Sequence, residues 1–277
     1  MNRKVLEHML IDCHNHSLYS FDGQEKVADL CKNAGKLGLS VFALTDHCDM
    51  IDGIAPDALI SHITGSVNEL TAWRDAHRDG NCRMLIGIEL GDPLENLPLA
   101  EEMLNLCPYD LVIGSVHTDG VADYYFGDYS QTSEQELHES LVRYFNRLCE
   151  MAEWGKFDVL AHITYPLRYI IGDYGRKVNL DRYQQLIDQL FYTIIRKGIV
   201  LEVNTSGLRQ KIASTMPDEA LLRRYYGLGG RLVTIGSDAH RLRDMAFGIT
   251  ETEEMLRKIG FTELVWFDQR RMQKMPL

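Results

Sequence analysis

Asp12-Cys13-His14-Asn15-His16 directly follows the apolar run Met9-Leu10-Ile11 near the start of the chain. Side chains of a β-strand alternate between its two faces, so Asp12, His14 and His16 are expected to emerge together. Two imidazoles and a carboxylate on one face are suitable ligands for Zn, Mn or Fe. The stretch therefore predicts a metal-ligating turn at the carboxyl end of a strand.

Seven short apolar runs, the first of them before this turn, have the composition of buried strands. They are residues 9–11, 41–44, 84–88, 111–116, 159–161, 199–203 and 232–235. Segments with helical spacing of apolar residues lie between and after them: 26–36, 56–77, 96–106, 134–153, 180–197, 217–226 and 251–259. Strand and helix repeated about seven times predict an α/β fold with parallel strands inside and helices outside. Because no GxGxxG nucleotide motif is present, a closed barrel in a single domain is favoured over a doubly wound sheet.

The composition excludes several classes of function. The formal charge of −11 argues against a general nucleic-acid binder, whose affinity comes from Lys and Arg on phosphates, so no nucleic-acid partner is expected. No stretch approaches the ~20 apolar residues that span a bilayer, and the first residues lack the apolar segment of an export signal. The six cysteines form no CxxC pair, which favours reduced thiols. We therefore expect a cytoplasmic protein without a membrane partner; its oligomeric state is left open.

Potential ligands also follow the later apolar runs. They are Asp46 and His47, Glu89, His117, His162, Glu202 and Asn204, and Asp238 and His240. In βα barrels the active site assembles at the carboxyl ends of the strands. One histidine there would more often be structural, but six at the ends of five runs indicate a metal or catalytic site. These ligands exceed the needs of one ion, so two or three divalent ions are expected, with Glu89 as a bridging carboxylate.

Taken together, the motifs resemble the PHP superfamily, named for polymerase and histidinol phosphatase. The matching pieces are DCHNHS (12–17), TDHCD (45–49), GIE (87–89), GSVH (114–117), AH (161–162) and GSDAH (236–240). The resemblance implies a distorted seven-stranded (β/α)7 TIM-like barrel, with up to three metal ions at the carboxyl ends of the strands. It also implies that residues 1–277 form one PHP-type metallophosphoesterase domain.

The resemblance implies three groups of metal ligands that share Glu89 as the bridge. The groups are His14, His16, Glu89 and Asp238 for the first ion, Glu89, His117 and His162 for the second, and Asp22, His47 and His240 for the third. Some family members have His where this chain has Asp22, and Asp fits the histidinol-phosphatase branch. Asp22-Gly23 also suits a simple turn.

A narrower resemblance concerns the substrate contacts. LEVNTSGLRQ (201–210) is similar to a segment of histidinol phosphatases in which Glu202 and Asn204 would support the site and Arg209 would bind phosphate. Arg168 is a second candidate for the anion, since a guanidinium fork binds two oxygens at once. Exposed salt bridges would be the ordinary roles of both arginines.

The reaction that the resemblance implies is hydrolysis of a phosphate monoester, with L-histidinol phosphate of histidine biosynthesis as the leading substrate. A metal-bridging hydroxide would attack phosphorus in line. The candidate catalytic residues are His47, Glu89, Asp238 and His240. Asp12 is expected to orient a ligand histidine. The proton for the leaving group is left open between Asp46, His47 and His240.

Three other functions stay open. YPLRYIIGDYGRK (165–177) departs from the expected histidinol-phosphatase pattern, so another small phosphorylated metabolite or a nucleotide is an alternative substrate. Similar barrels hydrolyse amides, but those often use a carboxylated lysine as the bridge, and Glu89 holds that place here. A metal-binding protein without catalysis is the last alternative.

Overall fold

In the computed structural model, which describes residues 9–50, 55–78 and 80–277, parallel strands form a nearly closed barrel. The strands are β1 (Leu10–Asp12), β2 (Leu39–Leu44), β3 (His47–Asp49), β4 (Arg83–Gly91), β5 (Leu111–Ser115), β6 (Val159–Leu160), β7 (Val200–Asn204) and β8 (Val233–Gly236). They pair in the order β1-β2-β4-β5-β6-β7-β8, and β3 follows β2 along the same edge of β4. The barrel therefore has seven strand positions, as predicted.

Backbone hydrogen bonds join the segment that follows β1 to β8 and to the turn after it. Cys13 N donates to Ile235 O at 3.0 Å, and Asp238 N donates to His14 O at 2.8 Å. These bonds bring the first and the last ligand motifs of the chain side by side. The predicted seven-stranded barrel is confirmed.

The helices lie outside the strands. They are α1 (Val27–Lys36), α2 (Pro56–Ala76), α3 (Leu97–Leu106), α4 (Glu134–Trp154), the short α5 (Tyr165–Leu167), α6 (Gln184–Lys197), α7 (Glu219–Gly227) and α8 (Ile249–Ile259). The predicted start of one helix at Pro217 is wrong. The Asp218 side chain accepts a hydrogen bond from Leu221 N and caps α7, which therefore begins at Glu219.

The sequence patterns did not predict the two antiparallel strands at the end of the chain, β9 (Glu263–Asp268) and β10 (Arg271–Pro276). Their turn residues, Gln269 and Arg270, both have positive φ, which hairpins usually assign to Asn or Gly. β10 contains the polar residues Arg271, Gln273 and Lys274, so it lacks the apolar run that marked the barrel strands. Leu264, Phe267 and Met275 of the hairpin are buried in the core.

The described part of the chain contains no helix with the length and hydropathy needed to cross a membrane. Residues 1–8, from which the lack of an export signal was predicted, lie outside the described residues. All six cysteines are unpaired, as predicted. Cys82 and Cys107 are half-buried, and the other four are buried.

Candidate metal centre

Glu89, at the carboxyl end of β4, lies at the centre of a cluster of imidazoles. Its Oε1 is 2.9 Å from His162 Nε2 and 3.3 Å from His117 Nε2. Its Oε2 is 2.9 Å from His47 Nδ1 and 3.2 Å from His14 Nε2. The two oxygens of one buried carboxylate thus face different histidine pairs, which is the arrangement that a bridging ligand requires.

Asp238 stands beside the histidines of the first motif. Its Oδ1 is 3.4 Å from His16 Nε2 and 3.9 Å from His14 Nε2. His16 Nε2 also lies 3.5 Å from Glu89 Oε2. The structure therefore brings together the four side chains that the family resemblance assigns to one ion.

The third predicted group lies at the rim of the cluster. Asp22 Oδ2 is 3.2 Å from His240 Nε2, and Asp22 Oδ1 is 3.6 Å from His47 Nε2. The rings of His47 and His240 both stack on His16, with centroids 4.2 Å apart. Asp22 does belong to a turn, because Gly23 N donates to Ser20 O, and that turn directs the carboxylate toward the two histidines.

Several atoms of the cluster have no hydrogen-bond partner among the described residues. They include Nε2 of His14, His16 and His240, together with Asp22 Oδ1 and Glu89 Oε2. Buried polar atoms are almost always paired, so a concentration of unpaired ones indicates a ligand. Sets of three ligand atoms in this cluster lie within 4.8 Å of one another. Their nitrogen and oxygen atoms fit a divalent cation such as Zn, Mn or Fe.

Glu202 of β7 forms hydrogen bonds with two of the histidines, His14 and His162, on the side away from the centre of the cluster. His14 Nδ1 donates to its Oε1 at 2.7 Å, which turns His14 Nε2 toward the cluster. The other oxygen accepts from His162 N at 3.0 Å and from the Asn204 amide at 3.1 Å. Glu202 and Asn204 thus form hydrogen bonds beside the cluster, and their supporting role stays a prediction.

Asp46 acts on His16 through Ser20, a contact that the sequence analysis did not anticipate. Ser20 Oγ donates to Asp46 Oδ1 at 2.7 Å, and its oxygen lies 3.1 Å from His16 Nδ1. Because the Ser20 hydroxyl donates its hydrogen bond to Asp46, its oxygen accepts a hydrogen bond from the Nδ1–H of His16. His16 Nε2 is then left without a proton and faces the cluster.

In the part of the chain that the structure describes, the Asp12 carboxylate makes no hydrogen bond to a histidine ring, so its expected role in orienting a ligand histidine is not seen there. Its carboxylate accepts from Ser237 N and Ser237 Oγ, at 2.8 and 2.6 Å, and from Ala246 N at 2.9 Å. The residue that holds His14 is Glu202, because the His14 ring points across the barrel toward β7. Asp12 instead fixes the turn that precedes Asp238.

Two residues of the cluster that are predicted to bind metal have strained backbones. Asp238 has φ of 53° and His162 has φ of 24°, in a region that side chains other than glycine seldom adopt. His240 Nδ1 donates to the Asp238 carbonyl at 3.0 Å, so the strained turn also orients the next histidine. Strain that the surrounding structure enforces is typical of functional sites.

The charges of the cluster compensate one another. Burial opposes the ionised form of Glu89, but the adjacent His47 and His14 hold the pKa of that carboxyl well below its usual value. Burial also disfavours the charged form of His47, yet Glu89 and Asp49 raise the pKa of this imidazole to about 9. Burial, with His240 and His47 nearby, lowers the pKa of His16. The Glu89 carboxylate is thus ionised and attracts cations.

The two predicted phosphate-binding arginines have different surroundings. The terminal nitrogens of Arg209 donate to the carbonyl oxygens of Ser237 and Asp238 at 2.6 and 2.7 Å. Arg209 therefore supports the Asp238 turn, and its contact with phosphate stays a prediction. Arg168 Nη1 lies 3.9 Å from Asp238 Oδ2, at the edge of the cluster. Its guanidinium has no other carboxylate within ion-pair distance among the described residues, which leaves it able to bind an anion.

Asp49 lies in the cluster but was not assigned a role from the sequence. It is buried, and its Oδ1 is 3.2 Å from His117 Nδ1. The signal was present in TDHCD (45–49), where strand alternation places His47 and Asp49 on one face. The predicted strand ends at residue 44, whereas the structure forms the further strand β3 at His47–Asp49.

Comparisons with known proteins agree with this geometry. The PHP domain family model matches residues 12–206. A protein of Thermotoga maritima named "Probable histidinol-phosphatase" is 30% identical over 92% of this chain and 94% of its own length. A "Histidinol-phosphatase" of Lactococcus lactis is 24% identical over 95% of this chain and 96% of its own length.

A solved structure has a similar fold. It is the histidinol phosphate phosphatase of Lactococcus lactis complexed with Zn, L-histidinol and phosphate. The TM-score is 0.79 at 23% identity, and the match covers 95% of this chain and 98% of that one. The likeness confirms the predicted barrel.

Proposed function

This chain belongs to the PHP domain family, and on that premise we propose that it is a metal-dependent histidinol-phosphate phosphatase. The reaction is hydrolysis of L-histidinol phosphate to L-histidinol and phosphate, in histidine biosynthesis. The observation that supports it best is the buried Glu89, whose two oxygens each face a pair of imidazoles. We further propose that residues 1–277 form one catalytic domain.

The proposed metal centre holds two or three divalent ions, of Zn, Mn or Fe. Its ligands are His14, His16, Glu89 and Asp238; Glu89, His117 and His162; and Asp22, His47 and His240. Divalent ions at such a centre neutralise a phosphate dianion and make hydroxide available at neutral pH. The same ions would relieve the unpaired nitrogen and oxygen atoms of the cluster.

The side chains around the metal centre position the substrate and move protons. Arg168, at the edge of the cluster, binds the phosphoryl oxygens with its guanidinium fork, and Arg209 is the second candidate for this role.

His47 and His240 are partly exposed, with 12% and 22% of their side chains accessible, so either imidazole can reach a leaving group. Asp46 is unsuited to that task because Ser17, Ser20 and Ser66 occupy its oxygens.

The test is phosphate release from L-histidinol phosphate by the full chain loaded with Zn or with Mn. We expect kcat/KM at or above about 10⁴ M⁻¹s⁻¹, the range of working enzymes. A parallel panel contains nucleotide and sugar monophosphates and an amide substrate. A higher kcat/KM on any of these than on histidinol phosphate would replace the proposed substrate, and turnover of none would favour a non-catalytic metal-binding protein.

A further inference from the structure

We infer that Asp49 is a positioning residue for the metal ligand His117, and that Gly91 provides the space which lets it act. The inference rests on the proposed metal centre. It assigns a role to a carboxylate that lies outside the three predicted ligand groups.

The register of two strands places Asp49 at the centre. β3 pairs in parallel with β4, and the paired residues are His47 with Glu89 and Asp49 with Gly91. Residues two apart in a strand share a face, so His47 and Asp49 point the same way, as do Glu89 and Gly91. The two strands therefore present two successive pairs of residues to the cluster. The first pair is His47 and Glu89, and the second is Asp49 and Gly91.

Gly91 makes the close approach of Asp49 sterically allowed. A Cβ at position 91 would lie 1.8 Å from Asp49 Oδ1 and 3.2 Å from His117 Nδ1. No side chain fits at the first of these distances. The glycine thus leaves room for a carboxylate oxygen 3.2 Å from the imidazole nitrogen.

Burial makes an unpaired Asp49 costly. The residue is 7% exposed, and its Oδ1 accepts no hydrogen bond of regular geometry from the described residues. A buried carboxylate requires a donor or a cation nearby. His117 Nδ1 is at the right distance to supply a proton, and His47 Nδ1 is farther away, at 3.8 Å from Asp49 Oδ2.

In three other histidines that are predicted to bind metal, the two ring nitrogens have different roles. In each, Nδ1 donates to an oxygen outside the cluster and Nε2 faces inward: His14 to Glu202, His16 to Ser20 and His240 to the Asp238 carbonyl. His117 Nε2 lies 3.3 Å from Glu89 Oε1, on the inner side. A proton held on Nδ1 leaves Nε2 free to bind a metal, and Asp49 is placed to hold it there.

The test compares Asp49→Ala, Asp49→Asn and Gly91→Ala with the unchanged chain. Asp75→Ala, at an exposed position of α2 remote from the cluster, is the matched control. Zinc affinity is measured by competition with a chromophoric chelator, without substrate. The His117 tautomer is read from ¹⁵N-histidine NMR spectra of the zinc-loaded protein, with His117→Gln used to assign its signal.

We expect Asp49→Ala to weaken the affinity for one zinc ion by 10- to 100-fold, the usual effect of losing a ligand's supporting partner. Gly91→Ala should also weaken the zinc affinity because the added methyl group displaces the Asp49 carboxylate. Asp49→Asn should weaken it less because its amide oxygen still accepts a hydrogen bond. In Asp49→Ala the Nδ1–H signal of His117 should weaken, while the signals of His14 and His16 persist.

Unchanged zinc affinity and an unchanged His117 signal in a folded Asp49→Ala protein would overturn the inference. A loss of affinity without a change at His117 would also overturn it, since it would make Asp49 a ligand or a purely structural residue. Neither readout requires phosphatase activity. An inactive chain that shows the expected zinc losses would therefore contradict the proposed function and leave this inference standing.

Discussion

At the scale of single residues, the centre depends on carboxylates that serve two partners at once. Glu89 divides its oxygens between two pairs of imidazoles, and Glu202 divides its own between the His14 ring and the backbone of His162. Such residues couple neighbouring ligands, because moving one carboxylate moves both partners. The largest effects of substitution are expected at these two glutamates.

Replacing Glu89 with Gln should remove at least one metal ion per chain and reduce kcat/KM by more than about 100-fold, beyond the loss typical of a supporting residue. An amide has one oxygen and cannot bridge two cations as a carboxylate does. Metal analysis after dialysis and the phosphate-release assay measure the two effects. Glu254→Gln, at an exposed position of α8, is the control. Full metal content and full turnover in Glu89→Gln would disprove the bridging role.

Replacing Glu202 with Gln should lower metal affinity by 10- to 100-fold and leave the fold intact. The amide NH₂ would face either the His14 Nδ1–H or the His162 N–H, so that two donors meet. An unsatisfied buried group of this kind costs about 1–3 kcal/mol of stability. Chelator competition and a thermal melt measure the two quantities. Wild-type metal affinity in this variant would show that His14 needs no support from behind.

At the scale of elements, short strands and glycines at their ends bring the ligands close together. Gly91 ends β4 beside Asp49, and Gly236 ends β8 beside His14 and Glu202. A Cβ at position 236 would lie 2.4 Å from His14 Cβ and 2.5 Å from Glu202 Oε1. The glycines at these strand ends therefore leave the space that the neighbouring side chains of the site occupy.

Gly236→Ala should destabilise the chain by about 1–3 kcal/mol, as overpacking commonly does, and should reduce metal content. The added methyl group would force His14 and Glu202 apart. Gly35→Ala in α1 is the matched control, because a Cβ there meets nothing within 4 Å and alanine favours helix by about 0.5–1 kcal/mol. Urea unfolding of both variants gives the comparison. Equal stability of the two would mean that β8 moves freely to accept the methyl group.

At the scale of the whole molecule, the barrel gathers buried polar atoms that its own side chains leave partly unpaired. Carboxylates and imidazoles from six strand ends meet in one buried volume, and several of their atoms lack hydrogen-bond partners in the described part of the chain. A bound cation would therefore stabilise the folded state more than the unfolded one. The fold and its metal centre are expected to be thermodynamically linked.

Removal of metal by a chelator should accordingly lower the melting temperature. An ion present at 1,000 times its dissociation constant contributes about 4 kcal/mol. For a domain of this size that corresponds to roughly 10 °C. Differential scanning calorimetry with and without chelator, followed by addition of Zn, measures the change and its reversal. Identical melting curves would show that no cation stabilises the fold.

The cysteines should be nearly inert in the native protein. Burial raises the pKa of the Cys31 and Cys82 thiols to about 12, so few thiolates exist at pH 8. A thiol-reactive chromogenic reagent should label the native chain slowly, with half-buried Cys107 reacting first, and should label all six cysteines in denaturant. Rapid native labelling of a buried thiol such as Cys31 would reveal local opening of the barrel.

The local rules of sequence predicted the barrel and most of the centre because they act over a few residues. An apolar run followed by His, Asp or Glu predicts a strand end with a ligand, and parallel strands in a barrel bring those ends together. These rules predict that five residues lie near one another: His14, Glu89, His117, His162 and Asp238. Their assignment to particular ions stays a prediction.

Contacts between distant segments were decided only by the tertiary structure. Asp12 was expected to hold a histidine, but the neighbouring β8 turn offers it three donors. The role of Ser20 was not predicted, because it depends on how Asp46 and His16 are placed around its hydroxyl group. Asp49 gained a role only once β3 paired with β4 and Gly91 stood opposite. A hydrogen-bond partner depends on three-dimensional distance and direction, and a one-dimensional pattern of residue types contains neither.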